Sequence, residues 1–316
     1  MSSDIVDQDP DPWMRNMRAG NFEAAWKVSD AALRSREGKM NWHLPRHFQH
    51  FWNGDSFSGK RVFVRCYHGL GDTIQFIRYA PLVKAQAASL TVWAQPQLIP
   101  ILESMPSIDA LLPLHDGTPE TDFEVDVEIM ELPFIFRTTL DTVPADIPYI
   151  NVEPHSLLRT SNELSVGLVW KAGDWDERRS ISFLQLQPLF AINGIRIFIL
   201  QAQARLAGWS EGFGTYPGEF SLPDYARFIR GLDLMISVDS MPAHLAGAMG
   251  VPVWTLLHAR PDWRWMEKRS DSPWYPTMRL FRQEQQDNWD PVIERICVEL
   301  QELVGARKQG EGMSQR

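Results

Sequence analysis

The sequence predicts an α/β protein of two Rossmann-like domains, each built on a parallel sheet. Three observations support this prediction. Short apolar runs alternate with helical segments, a glycine-rich or polar loop follows the first strand of each half, and a proline-rich segment at residues 142–156 separates the halves. Alternating strands and helices are typical of parallel sheets. We expect the two domains to face each other across a cleft, the usual place for a small-molecule site.

Residues 1–57 are predicted to form a tail and a helical segment. Residues 1–12 are acidic and polar, whereas residues 13–36 have apolar positions at helical spacing. Residues 20–33 resemble part of one tetratricopeptide repeat, but no second copy follows at the expected period. A plain helical hairpin packed on the next domain is therefore favoured over a repeat.

Residues 58–157 are predicted to form the first Rossmann-like domain. Residues 61–66 are a strand by composition, and the glycine loop that follows leads into a helix that starts at residue 73 and continues past Pro81. The other predicted strands are residues 90–94, 110–114 and 123–129, another helix is residues 96–105, and residues 133–139 are predicted to lie near a helix or turn.

Residues 158–284 are predicted to form the second domain, and residues 285–316 a C-terminal helix and tail. The strands of this domain are residues 165–170, 196–201, 234–238, 251–257 and 278–281, and helices are predicted at residues 183–190 and 224–231. The C-terminal helix spans residues 290–304, with an apolar side of Val292, Ile293, Ile296, Val298, Leu300 and Leu303.

The clearest local signal is a strand, turn, helix and strand in residues 234–257. The apolar run 234–238 is typical of a buried parallel strand. Ser240 is a good N-cap, and Pro242 suits the first helical turn because its missing N–H is not needed there. Gly250 then ends the helix. In open α/β sheets this carboxyl edge binds ligands, and N–H groups at a helix N-terminus attract anions such as diphosphate.

Three residues of this segment are candidates for binding a donor substrate. Ser240 and the backbone N–H groups after it can hold a phosphate. Asp239 would repel a phosphate at close range, so we assign it to a sugar hydroxyl or to capping. His244 lies about one turn further on, and both a ligand-binding role and a packed, partnered role stay open.

Composition excludes several classes of function. With 31 basic and 40 acidic residues the net charge is −9, and no long basic run is present. Nucleic acid is therefore not expected as a partner, since phosphate backbones need clustered Lys and Arg. Cys66 and Cys297 are far apart, which favours a reducing cytoplasm over a disulfide framework. No apolar run is long enough to span a membrane, and the N-terminus is unlike a signal peptide.

Several segments, in this order and spacing, resemble the heptosyltransferase-type glycosyltransferases, and most closely the glycosyltransferase domains found downstream of tetratricopeptide repeats in bacteria. These segments are residues 69–79 (GLGDTIQFIRY), 166–170 (VGLVW), 178–181 (RRSI), 238–247, 262–265 and 272–283. The resemblance covers about residues 52–303. It implies a GT-B fold with the acceptor on the first half, a nucleotide sugar on the second, no required metal or cofactor, and a last helix that crosses back to the first domain.

The resemblance also implies a role for Asp72 as the general base. An acceptor hydroxyl must lose its proton as it attacks the anomeric carbon, and a carboxylate within reach can take it. The alternative is that Asp72 merely caps its helix, and both can be true. Gly69, Gly71 and Gln75 are assigned to the acceptor-side loop. Relatives with repeats usually carry Glu-Gln before this loop, where this chain has Tyr67 and His68, a departure on the acceptor side.

The resemblance and the residue types together point to Lys171, Arg178 and Arg179 as ligands of the donor diphosphate. A transferase must stabilise the departing diphosphate, and fixed cations can do so without a metal. The alternative is a solvated loop, because three acidic residues lie among these cations and could pair with them, namely Asp174, Asp176 and Glu177.

The remaining polar and aromatic residues carry weaker signals. Four aromatic residues could stack on a base or a sugar, although bracing the sheet edge is favoured for them: Trp263, Trp265, Trp274 and Tyr275. Glu128 and Glu131 could line the acceptor side. Three histidines are best interpreted as surface residues rather than metal ligands, namely His43, His47 and His50. No zinc spacing, Walker loop or acidic metal pair is present.

The sequence therefore predicts a cytoplasmic, metal-independent, inverting glycosyltransferase. It would move a sugar from a nucleotide-diphosphate sugar to a hydroxyl of a glycan, a lipid-linked molecule or a protein. A glycosyltransferase-like binding or scaffold module without turnover is the alternative, and a sugar-nucleotide epimerase on the same scaffold is a weaker one. Function resides in the site rather than in the fold, so fold analogy cannot separate these possibilities.

Overall fold

The structure is a computed structural model that describes residues 11–36, 43–155, 163–173 and 175–314, with side chains up to residue 307. The predicted tail before residue 11, and Asp174 of the polar loop, lie outside the described residues. The chain forms two compact units. The first comprises Met1–Ala145 and Asp262–Arg269, and the second comprises Asp146–Pro261 and Ser270–Arg316. None of the helices in the described part of the chain is both long and apolar enough to cross a membrane.

The first unit contains a four-stranded parallel sheet in the order β3-β2-β1-β4. Its strands are β1 (Arg61–Arg65), β2 (Ser89–Ala94), β3 (Ala110–Pro113) and β4 (Val125–Glu128). In the register of the central pair, Arg65 of β1 lies opposite Glu128 of β4. Because all strands run in the same direction, the loops after β1, β2 and β4 leave the sheet at one edge.

The helices of the first unit are shorter than the sequence predicts. The helix expected from residue 73 past Pro81 is divided into α3 (Leu70–Phe76), a 3-10 turn at Ile77–Tyr79 and α4 (Ala80–Lys84). Pro81 has no N–H to donate to the preceding turn, so a new helix begins around it. The other helices are α1 (Pro12–Arg18), α2 (Phe22–Arg36), α5 (Ile99–Leu102) and α6 (Leu132–Ile135), with further 3-10 turns at Arg46–Phe48, Ile129–Glu131 and Trp263–Trp265.

The N-terminal helices α1 and α2 form a hairpin that packs within the first unit. Gly20 makes the turn between them with φ of +77°, a conformation that side chains disfavour. Met17, Phe22 and Trp26 are buried, and the indole N–H of Trp26 donates to the carbonyl of Thr138 at 2.6 Å. These contacts attach the hairpin to the Rossmann-like part of the unit.

The second unit contains a five-stranded parallel sheet in the order β6-β5-β7-β8-β9. Its strands are β5 (Leu164–Val169), β6 (Ile195–Ile199), β7 (Leu234–Val238), β8 (Val253–Leu257) and β9 (Met278–Arg282), and its α-helices are α7 (Leu222–Arg230), α8 (Met241–Ala248) and α9 (Asp290–Ser314). Every residue of β5, β7 and β8 is buried, as expected for strands covered on both faces. The predicted helix at residues 183–190 is instead a 3-10 helix at Phe183–Ala191, because Pro188 lies inside it.

The C-terminal helix α9 packs on its own unit. We expected it to cross back to the first domain, but the residues that pack are in the second unit's core: Val292, Ile293, Ile296, Leu300 and Val304. These positions recur every three to four residues and form one helical face. Val298 and Leu303, predicted on that face, are 53% and 38% exposed. The later part of the chain that belongs to the first unit is Asp262–Arg269.

A buried carboxyl group, that of Glu131, makes the stability of the first unit depend on pH. Its Oε2 accepts hydrogen bonds from the backbone N–H groups of Phe51, Trp52 and Glu128 at 3.0–3.1 Å. Burial raises the pKa of Glu131 from 4.5 to about 7, although these donors and Arg36 oppose the shift. The folded chain therefore retains a proton that the unfolded chain releases between pH 4.5 and 7, so the free energy of unfolding decreases as pH rises through this window.

We predict that Glu131→Gln removes this pH dependence. Between pH 6 and 8 the unfolding free energy of the wild type should fall by about 1 kcal/mol more than that of the variant. Urea denaturation at pH 6, 7 and 8 measures how the unfolding free energy of each protein changes with pH. Parallel pH profiles of the two proteins would contradict the raised pKa.

Candidate functional site

Three loops meet at the carboxyl edge of the first sheet. The chain leaves β1 through residues 66–69 into α3, β2 ends before Gln95, and β4 ends at Glu128. The Gln95 side chain joins two of these loops, since its Nε2 donates to the carbonyl of His68 at 2.7 Å and its Oε1 accepts from the Thr73 hydroxyl at 3.0 Å. The loop before α3 is thus held in place from β2.

Asp72 lies in the first turn of α3 and is bound on both carboxylate oxygens. Its Oδ2 accepts from the backbone N–H of Gly69 at 2.9 Å, so Asp72 caps α3 from the third helical position, whereas the sequence predicted a cap on the N–H of Thr73 or Ile74. Its Oδ1 accepts from Nη1 of Arg264 at 2.8 Å. The side chain is still 21% exposed, so a molecule at this edge could reach the carboxylate.

Arg264 is the cation of this site, contributed by the returning segment Asp262–Arg269. Its Nε donates to Asp262 at 2.8 Å, while its guanidinium lies 5.7 Å from the ring of Phe76 and 5.6 Å from the ring of Trp263. Only 9% of the side chain is exposed. Arg264 is therefore fixed by two carboxylates and two aromatic rings, and it orients Asp72.

His68 and Glu128 form a second polar pair at the same edge. Their Nδ1 and Oε1 atoms lie 2.9 Å apart, with the His68 side chain 25% and the Glu128 side chain 2% exposed. Glu128 also accepts from the N–H of Tyr67 at 3.2 Å and of Met130 at 2.7 Å. Burial alone would lower the pKa of His68, but the hydrogen bond to Glu128 and the charges of Glu128 and Asp72 raise it above 6.5, against Arg264.

The predicted acceptor-side residues take different positions. Gly69 is the N-cap of α3, and a Cβ there would lie 3.2 Å from Oδ2 of Asp72. Gly71 lies in the first turn of α3. Gln75 is fully buried, and neither amide atom has a hydrogen-bond partner in the described part of the chain. Its side chain lies in the interior rather than on the loop, because it faces the core side of α3.

At the carboxyl edge of the second sheet, the structure brings Arg179 and Asp239 together. Arg179 is buried, and its Nη1 donates to the carbonyl of Asp239 at 2.9 Å while the exposed ring of Trp175 lies 4.1 Å from its guanidinium. Arg178 is exposed but doubly bonded to Asp176 at 2.8 and 2.9 Å, the acidic pairing that the sequence left open. Lys171 is exposed at the end of β5.

Ser240 and His244 are the other candidates on the second unit. Ser240 is the N-cap of α8, but its hydroxyl donates to the carbonyl of Val238 at 3.1 Å and makes no capping bond, which corrects the predicted capping interaction. His244 is buried, with Nδ1 3.0 Å from the Tyr275 hydroxyl and Nε2 3.8 Å from Asp239. The packed and partnered role left open for His244 is therefore the one observed.

The aromatic candidates are interior residues. Trp265, Trp274 and Tyr275 have no exposed surface, and Trp263 is 5% exposed, so they brace the fold as the sequence favoured. Glu131 is also interior and ties down the backbone of residues 51 and 52. His43, His47 and His50 are exposed.

Residues 202–296 match the family model Glycosyltransferase family 9 (heptosyltransferase). The matched segment is 95 of the 316 residues of the chain. This match includes α8 and the polar residues around it, and it confirms the prediction of a glycosyltransferase. Transfer from a nucleotide sugar is the general activity that it supports.

Solved structures of glycosyltransferases have the same fold as this chain. The glycosyl transferase family 9 protein of Veillonella parvula DSM 2008 aligns with a TM-score of 0.56 at 13% identity, covering 79% of this chain and 98% of that one. The ADP-heptose lps heptosyltransferase II of E. coli aligns with a TM-score of 0.56 at 13% identity, covering 78% of this chain and 99% of that one. This likeness confirms the predicted GT-B fold class.

A sequence relative covers most of this chain. Protein FlbA of Caulobacter vibrioides is 23% identical in an alignment of 294 positions that covers 81% of this chain and 48% of that protein. The chain thus spans about half the length of this curated relative.

The sequence did not predict Arg264 or the His68–Glu128 pair as parts of a site. Arg264 lies 192 residues from Asp72, and no local pattern connects them. The signal for the pair was present: His68 follows a predicted strand, Glu128 is the next-to-last residue of the predicted strand 123–129, and the carboxyl ends of parallel strands meet at one edge.

Proposed function

We propose that this glycosyltransferase moves a sugar from a nucleotide-diphosphate sugar to an acceptor hydroxyl, with inversion and without a metal, and that Asp72 is the general base. The observation behind this proposal is the Asp72 carboxylate, held at a sheet edge by Gly69 and Arg264 yet still part-exposed. A fixed carboxylate needs little reorganisation to accept a proton.

In the proposed step, the acceptor oxygen attacks the anomeric carbon and its proton goes to Asp72. The bond between the anomeric carbon and the diphosphate oxygen breaks, and its electron pair stays on the diphosphate. A single displacement of this kind inverts the configuration at the anomeric carbon. Lys171 and Arg179 are the proposed cations that meet the growing charge, because one is exposed at the end of β5 and the other is fixed on Asp239.

The other donor-side residues have supporting roles in this proposal. Ser240 and the start of α8 bind a phosphate, and Arg178 can do so only if it leaves Asp176. Asp239 and His244 are proposed to hold the carboxyl edge of the second sheet in its conformation, since both are buried and the His244 ring already contacts Tyr275. The acceptor, whether a glycan, a lipid-linked molecule or a protein, would bind at the first sheet's edge.

A binding module without turnover is the second candidate. The observation that favours it is that both oxygens of Asp72 already accept hydrogen bonds, one of them from a guanidinium. A carboxylate paired in this way is a weaker base than one that faces only water.

Two measurements on the full chain separate these functions. ADP, GDP, UDP, ADP-glucose, GDP-mannose and UDP-glucose are screened by thermal shift, and the three sugar nucleotides are then tested for release of nucleoside diphosphate. We expect one nucleotide series to raise the Tm by about 5 °C at saturation and its sugar nucleotide to be consumed. Binding without consumption would favour the inactive module, and a panel without binding would contradict both functions.

The variant Lys171→Ala locates the nucleotide. It should reduce the thermal shift because it removes a cation from the carboxyl edge of the second sheet. Arg307→Ala is the matched control, since Arg307 pairs with Asp233 next to the amino end of β7 at 3.3 Å. Equal shifts for both variants would contradict the proposed phosphate contact of Lys171.

A further inference from the structure

We propose that the base of the acceptor site is shared: His68, oriented by the buried carboxylate of Glu128, is a second catalytic base beside Asp72. This inference rests on the proposed function and deepens it. Four observations carry the inference, and each concerns residues of the first unit.

The first observation is the geometry of the pair. Both oxygens of Glu128 accept backbone N–H groups, from Tyr67 and Met130, so Glu128 acts as an acceptor toward His68 as well. The proton of a neutral His68 ring then lies on Nδ1, 2.9 Å from Glu128, and the lone pair lies on Nε2. A carboxylate behind an imidazole fixes its tautomer and stabilises the imidazolium that forms when Nε2 takes a proton.

The second observation is the position of His68. Its side chain is 25% exposed, whereas Glu128 is 2% exposed, so the imidazole is the accessible end of the pair. Nε2 of Gln95 donates to the backbone carbonyl of His68 at 2.7 Å, which fixes the backbone that carries the imidazole. Only three residues separate His68 from Asp72, and both lie at the carboxyl edge of the same sheet.

The third observation is the state of Asp72, which already accepts from Gly69 and from Arg264. A carboxylate paired with a guanidinium holds an added proton poorly. An imidazole with an anionic neighbour holds one well near neutral pH, where general bases are most effective. When His68 acts in place of Asp72, the acceptor proton goes to Nε2 of His68, the acceptor oxygen bonds to the anomeric carbon, and the diphosphate leaves with the electron pair.

The fourth observation concerns the charged groups around His68. Glu128 on β4 and Asp72 on α3 favour the imidazolium, Arg264 opposes it, and His50 is a further neighbouring imidazole. The pKa of His68 therefore depends on these neighbouring charges, and the acid limb of a pH–rate profile reports on His68. Burial of His68 and the charge of Arg264 lower its pKa, but the two carboxylates outweigh both, so the limb belongs near neutral pH rather than in the carboxylate range.

The test is the pH dependence of nucleoside diphosphate release by the full chain, using the sugar nucleotide consumed in the panel above. We expect His68→Gln to move the acid limb of kcat/KM down by about one pH unit or more and to leave reduced activity that depends on Asp72. Glu128→Gln should move the limb in the same direction, and His43→Gln, an exposed histidine, should leave it in place. A limb unmoved by His68→Gln overturns the inference.

A second readout does not depend on turnover. In protein labelled with ¹³C at histidine, the resonance absent from His68→Gln is assigned to His68, and its titration midpoint should lie above 6.5 in the wild type and fall in Glu128→Gln. A His68 titration midpoint that is the same in the wild type and in Glu128→Gln overturns the pairing of His68 with Glu128. If the wild type turns over and His68→Gln does not move its acid limb, only this inference is contradicted. If His68 titrates above 6.5 as expected but the chain shows no turnover, the proposed function and this inference are both contradicted.

Discussion

Replacing Asp72 by Asn is expected to lower nucleoside diphosphate release by about 10²- to 10⁴-fold while the protein stays folded. Asn keeps an oxygen that can accept from Gly69 or from Arg264, so the start of α3 should persist. What it loses is the negative charge that receives the proton and favours the imidazolium of His68. Circular dichroism and thermal melting check the fold, and initial rates of nucleotide release measure the effect.

Asp262→Asn is the matched control for this experiment. Asp262 is the other carboxylate on Arg264, at 2.8 Å from its Nε, and it lies within the same unit. If Asp72 acts as a base, the control should lose less than about tenfold, in the range of a structural hydrogen bond. Equal losses in both variants would show that Asp72 acts by positioning Arg264, and wild-type rates in Asp72→Asn would remove its role as a base.

Replacing Gly247 by Ala is expected to destabilise the second unit by about 1–3 kcal/mol. In an ordinary helix this change stabilises by up to about 1 kcal/mol, because Ala has the higher helix propensity. In α8, however, the added Cβ would lie 2.5 Å from Cδ1 of the Tyr275 ring. That ring is fully buried and its hydroxyl contacts His244, so it has little room to move.

Gly305→Ala in α9 is the control that isolates this contact. A Cβ at Gly305 would meet no heavy atom within 4 Å, so the same substitution should there raise the unfolding free energy by up to about 1 kcal/mol. Urea denaturation of both variants measures the difference. If both substitutions raise the unfolding free energy, α8 and Tyr275 adjust to the added methyl group without a cost in stability. A loss of nucleotide-induced thermal shift in Gly247→Ala alone would also link this packing to the donor edge.

Local patterns predicted the parts of the fold that depend on neighbouring residues. β7 occupies the predicted residues 234–238, and α8 starts at Met241 directly after the predicted N-cap Ser240. An apolar run, a polar turn and a proline in the first helical turn specify such a unit without help from the rest of the chain. Segments with an internal proline were predicted less well. The helix around Pro188 is 3-10 because proline has no backbone N–H to donate, and the spacing of apolar residues does not show this.

The sequence by itself determined the α/β class, the parallel sheets, the glycosyltransferase resemblance and the position of Asp72 at a helix start, because each follows from periodicity or from a short motif. Only the tertiary structure decided which groups surround that carboxylate. Arg264 reaches Asp72 across 192 residues, and Glu128 reaches His68 across 60. Such pairs form because the carboxyl ends of parallel strands and a returning segment converge in space, and no spacing along the chain records that convergence.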